Sequence, residues 1–209
     1  MGRISKDPAV RKQELVMAAC ELIKEKGFEQ VSVSDIVKKV GVAQGTFYYY
    51  FETKYDMLDA VVDHYMQESI DTIEKIAADP STNPLEKLQA IVNYTLTMDP
   101  CERNFIEFLH SNENLITHQK YLMRSFEATI PPIAGIVEEG IKDGLFEVKY
   151  PMETVGLMVY TYGYLHDSLA HSADREESRR KIGAAEDVFE KVLGIKSGSL
   201  KLEANKIIG

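Results

Sequence analysis

Apolar residues recur along this chain with the period of a helix and nowhere with the sustained alternation of a strand. Leu15, Ala18, Ala19, Leu22 and Ile23 make one stripe, which ends at Lys26-Gly27. Val33, Ile36, Val37 and Val40 make a second, spaced i, i+3, i+4 and i+7. Ser32 opens that segment, and Asp35, three residues on, completes a capping box. Gly41 closes it, at a position that calls for a positive φ. After a short turn a new apolar set follows Gln44, at Phe47, Tyr50 and Phe51. Helix, glycine turn, helix is the helix-turn-helix pattern. Thr53 and Asp56 form another capping box and open the next helix. Two helices alone cannot bury their stripes; with a helix on either side they make a small core.

The rest of the chain reads as helix after helix. Asn83-Pro84-Leu85-Glu86 and Asp99-Pro100-Cys101-Glu102 each offer a cap, a proline at the first helical position and an acid after it. A long helix is predicted from about Asn114, with Gly140 and Gly144 punctuating its end. Pro131-Pro132 are expected to kink or interrupt it. Two further helices are predicted over about 152–171 and 175–193, the last opened by Asp174 and Glu177 and closed by Gly194. Their apolar positions include Leu157, Leu165, Ile182, Val188 and Val192, on more than one face, which is more than a single chain can cover. The prediction is an all-α fold of about nine helices. Residues 1–54 are read as a helix-turn-helix domain, 55–195 as a larger helical domain and 196–209 as a tail. Leu200, Leu202, Ile207 and Ile208 either dock that tail or leave it loose.

Gln44, Gly45, Thr46, Tyr48, Tyr49 and Lys54 fall outside the predicted core. Gln forms paired hydrogen bonds to an adenine edge, and Thr meets a base edge or a thymine methyl. A glycine admits close backbone approach, while tyrosine hydroxyls and a lysine suit phosphate. A formal net charge of −9 is unexpected for a DNA-binding chain until it is divided. Residues 1–54 hold nine Lys/Arg against seven Asp/Glu, and the remainder holds fifteen against twenty-six. The module expected to face DNA is mildly basic and the rest is acidic.

Other chemistries find no footing. The five histidines are scattered without a metal-ligand spacing, and no nucleophile elbow, phosphate loop or dinucleotide fingerprint occurs. Cys20 and Cys101 do not make a disulfide framework or a zinc site. No cofactor and no enzymatic activity are expected. There is no apolar run of membrane-spanning length and no apolar stretch of a secretion signal after the charged start, so the chain is read as cytoplasmic, with no membrane partner.

The segment from about Val10 to Leu58 resembles the DNA-binding domain of the tetracycline-repressor (TetR) family of bacterial transcription regulators. The residues that carry the resemblance are Gly27-Phe28, Ser32, Asp35-Ile36, Gly41-Val42, Gly45-Thr46-Phe47-Tyr48, Tyr50-Phe51 and Lys54. Ala43-Gln44 stands where family members often have Ser-Lys. The residues expected to contact DNA are Ser34, Gln44, Gly45, Thr46, Tyr48, Tyr49 and Lys54. The resemblance implies a homodimer through the last two helices, so that two recognition helices about 34–36 Å apart read a palindromic operator in double-stranded DNA. It also implies a ligand cavity in the larger domain, for which Tyr94, Met98, Phe105, Phe108, Met123, Phe126, Tyr160 and Tyr164 are the candidate lining. Mixed Met and aromatic surfaces suit irregular apolar ligands, although the same spacing also describes plain core. The implied function is a repressor released from its operator by an apolar or amphipathic small molecule. The alternative is a DNA-binding regulator or architectural protein without an inducer, answering to a protein partner.

Overall fold

Caps set the helix boundaries in this protein. In the computed structural model, which describes residues 7–96, 115–170 and 174–202, Asp35 Nα donates to Ser32 Oγ at 3.1 Å and Ser32 Nα donates to Asp35 Oδ2 at 2.9 Å. That reciprocal pair starts α2 (Val33–Val40), which ends at Gly41 with φ +75°. Glycine takes that left-handed conformation at no steric cost, and the chain reverses there into α3 (Gln44–Tyr50). Ahead of both lies α1 (Pro8–Lys26). The Thr53–Asp56 box, at 2.7 and 3.1 Å, opens α4 (Lys54–Ala77). Asn83 and Glu86 exchange 3.0 Å hydrogen bonds at the start of α5 (Pro84–Leu96), with Pro84 at its first position. Then come α6 (Leu115–Lys142), α7 (Pro151–Ala170) and α8 (Arg175–Leu193), whose N-cap Asp174 accepts from Glu176 rather than pairing with Glu177. The fold is all-α, with eight helices and no strand among the described residues. The second proline cap, at Asp99-Pro100, lies outside them.

One expectation is corrected. Pro131-Pro132 do not interrupt α6, which runs through them. Two backbone hydrogen bonds are lost there, but Ile130, Ile133, Ala134, Ile136 and Val137 all pack into one apolar cluster and hold the helix on both sides. Gly140 and Gly144 bracket the helix end as expected: Gly140 lies in the last turn, where its carbonyl accepts from the Leu145 and Phe146 amides at 2.8 and 3.1 Å and the Phe146 ring packs where a β-carbon would stand. Gly144, at φ +70°, makes the stop.

Among the described residues, those up to Glu68 with 115–121 form one compact unit, and 69–96 with 122–202 form the other. In the first, Leu15, Ile23, Ile36, Phe47, Met57, Leu58 and Val61 are at most 2 % exposed, so α1 to α4 share one core behind the turn. Ion pairs fix α1 to α2 at its rim: Lys26 to Asp35 at 2.8 Å, and Lys39 to Glu21 at 2.8 Å. In the second, Val155 near the start of α7 clusters with Leu193 at the end of α8, while Leu165 and Leu169 cluster with Ile182 and Ala185. That pairing makes α7 and α8 an antiparallel hairpin.

The tail docks as far as Leu202. Leu200 and Leu202 are buried, and their amides donate to Glu190 Oε1 at 2.9 Å and Glu186 Oε1 at 2.8 Å. The Lys201 amide donates to Gln89 Oε1 at 2.7 Å, which ties the strap to α5. Amides from Leu200 and Gly198 hold the Glu190 carboxyl below the ordinary carboxylate range. A carboxylate lowered in the folded state stabilises it above the unfolded pKa, about 4.3, and that stability is lost as pH falls through the folded value. Amide protection at Leu200 should therefore drop on acidification below about pH 4, while Glu190→Gln should show weaker protection with no such step. Hydrogen exchange measured across pH 3–6 checks both.

Candidate nucleic-acid interface and regulatory surfaces

Seven residues make α3, and one of them anchors it. Phe47 is wholly buried, its ring 5.4 Å from Phe51. With Phe47 fixed inward, the helical period turns Gln44, Gly45, Tyr48 and Tyr49 outward. Gln44 and Gly45 are exposed, Thr46 is half-buried, and Tyr48 and Tyr49 are 53 % and 75 % exposed. Ala43 makes no side-chain cap, so the first amides of α3 have no side-chain acceptor from that position. Polar and aromatic groups thus project from the N-terminal part of a short, rigidly backed helix, the geometry that enters a major groove. Ser34 is exposed on α2.

Lys54 sits differently from the other candidates. Its ammonium donates to the Phe28 carbonyl at 2.9 Å and the Glu29 carbonyl at 3.3 Å, and lies 4.3 Å from the centre of the Phe28 ring. Partial burial lowers its pKa. The side chain therefore ties the start of α4 to the 28–29 loop, and a phosphate would have to share it. Lys54→Ala should lower the stability of this unit by about 1 kcal/mol as well as weaken DNA binding, which urea unfolding read beside a binding titration would separate. Elsewhere on the unit an open cleft of about 480 Å³ is lined by Glu52, Asp56, Asp59 and Asp63 beside Lys12. Four carboxyl side chains repel a polyanion, so that side is unsuited to DNA.

On the second unit, Leu157, Tyr160 and Tyr164 are 73 %, 54 % and 71 % exposed along one side of α7. Val188 and Val192 are 45 % and 40 % exposed along α8, which packs on α7. Of the candidate ligand residues, Phe126 and Tyr160 are brought together, rings 4.7 Å apart and edge-on. Tyr94 is 37 % exposed, its hydroxyl 3.5 Å from Ser69 Oγ, and Met123 is 51 % exposed. Met98, Phe105 and Phe108 lie outside the described residues. One partly buried polar pair has no counterpart in the sequence pattern. Thr95 Oγ1 and Tyr162 Oη are 2.8 Å apart, and burial raises the Tyr162 pKa. A tyrosine one turn from a leucine carries no signal in sequence that its hydroxyl is satisfied within. Among the described residues no three His, Cys, Asp or Glu side chains are grouped so as to hold a metal ion, and no helix is long and apolar enough to cross a membrane.

Two family models match parts of the chain. Residues 15–61 match the family described as bacterial regulatory proteins, tetR family, and residues 98–188 match the tetracyclin repressor-like C-terminal domain. An uncharacterized HTH-type transcriptional regulator, YvdT, of Bacillus subtilis is 44 % identical over 62 residues, 30 % of this chain and 32 % of its own length. The fatty acid metabolism regulator protein of the same organism is 29 % identical over 136 residues, 63 % of this chain and 68 % of its own. A crystal structure of a TetR-family regulator from Pectobacterium atrosepticum superposes with a TM-score of 0.72 at 17 % identity, over 91 % of this chain and 98 % of that one.

Proposed function

This chain belongs to the tetR family of bacterial regulatory proteins, and from that membership we propose a dimeric repressor that reads a palindromic operator through α3 and releases it when a small apolar or amphipathic molecule binds the second unit. The observation that carries the DNA-reading part is the outward set Gln44, Gly45, Tyr48 and Tyr49 backed by a fully buried Phe47. Gln44 and Thr46 read base edges, and the tyrosine hydroxyls hold phosphates. The exposed apolar rows on α7 and α8 support pairing with a second copy, since an uncovered run of Leu157, Tyr160, Tyr164, Val188 and Val192 is costly in water. Pairing gives two recognition helices at a fixed spacing, hence a two-fold operator.

Release works by population shift. DNA favours one spacing of the recognition helices; a ligand that favours another lowers DNA affinity by its coupling energy, and DNA lowers ligand affinity equally. Tyr94 on α5 and Met123 and Phe126 on α6, with a relative named for fatty acid metabolism, support a lipophilic effector. Gln44→Ala and Thr46→Ala should each cost about 1–3 kcal/mol of discrimination between operator and a mismatched site. Competition binding against single base-pair variants of a footprinted operator checks this, and unchanged discrimination in Gln44→Ala would remove the base-reading role. For induction, a thermal-shift screen of fatty acids and other lipophilic compounds should give hits that also release operator. Hits that stabilise the protein and never release DNA would contradict it.

A further inference from the structure

Affinity for DNA comes largely from cations that meet phosphates, and a cation already bonded within the protein contributes less because a contact must be given up. Between residues 7 and 68 there are seven lysines and arginines. Six are engaged internally. Arg11 pairs with Glu14 at 2.6 Å, Lys26 with Asp35 and Lys39 with Glu21. Lys12 lies over the Phe51 ring and Lys24 over the Tyr65 ring, each 5.3 Å from the centroid, and Lys54 is bonded to two carbonyls. The seventh is Lys38. It is exposed, and its side chain has no partner among the described residues.

Its place on α2 is equally informative. Val33, Ile36, Val37 and Val40 face the core. Asp35 and Lys39, four apart, lie on the edge that pairs with α1. Ser34 and Lys38, also four apart, share the other exposed edge. Lys38 is in the last turn of that helix, just ahead of Gly41 and the turn into α3.

We propose that Lys38 is a phosphate-contacting residue of this protein, the cation by which α2 grips the DNA backbone beside the helix that reads the bases. The proposal rests on the DNA-binding reading above. It assigns to Lys38 an affinity that is insensitive to sequence, and to Lys39, one residue away, a purely internal role.

The test uses full-length protein and two duplexes, a selected operator and an unrelated sequence, titrated across salt concentrations. Lys38→Gln should weaken binding to both duplexes by about three- to tenfold and lower the slope of log affinity against log salt by about one per protomer. Lys38→Arg should restore the slope, and discrimination between the duplexes should be unchanged in both variants. The site is exposed, so thermal unfolding should match the parent protein. A parent-like salt slope in Lys38→Gln, with the operator still preferred, would overturn the proposal. A Lys38-dependent slope without any operator preference in the parent protein would sustain it and sink the operator reading instead.

Discussion

Phe47→Ala should destabilise the first unit by about 3–5 kcal/mol, a large part of the stability of a small domain. The side chain is wholly buried, the largest of the fully buried ones in a core shared by α1 to α4. Truncation removes its transfer free energy and leaves a cavity that Phe51 and the rest of the cluster cannot fill without leaving their own positions. The consequence for function is direct. The outward direction of Gln44, Gly45, Tyr48 and Tyr49 depends on Phe47 pointing inward, so operator binding should fall with the fold. Urea unfolding followed by circular dichroism measures the loss, and a change below about 1 kcal/mol would mean that the core does not hinge on this ring.

Charging the exposed faces of α7 and α8 should have the second large effect. Leu157→Glu combined with Val188→Glu places a carboxylate in each apolar row. A dimer built on these rows buries an interface of about 1,000 Å² or more, and an unpaired charge inside it costs several kcal/mol. Sedimentation at micromolar concentration should turn from dimer to monomer. Operator affinity should fall by two or more orders of magnitude, because one half-site contact replaces two linked ones. Both positions are exposed in the single chain, so the monomer should keep its helical spectrum. A variant that stays dimeric with full operator affinity would move the interface elsewhere.

The first unit was largely legible in sequence because its signals are local. The Ser32–Asp35 and Thr53–Asp56 boxes each lie within one turn, and Gly41 has one reason to be glycine. The second unit was less so. Gly140 read correctly as punctuation at a helix end, but no local pattern encodes that it is also a packing site for Phe146. Pro131 and Pro132 looked like a break, yet tertiary packing outweighs two missing hydrogen bonds. Lys54 read as a cation open to phosphate, and only the fold brings the Phe28 and Glu29 carbonyls to it. The tail left two choices open, and the side chains of Glu186, Glu190 and Gln89, far from it in sequence, decide for docking up to Leu202.

Selection of bound duplexes from a random pool tests the central claim most directly. A dimer reading DNA through α3 should enrich one two-fold symmetric sequence with half-sites about one helical turn apart or a multiple of it, and Gln44→Ala should relax the preference at particular base pairs within each half. Enrichment of no sequence, or of one without two-fold symmetry, would contradict it.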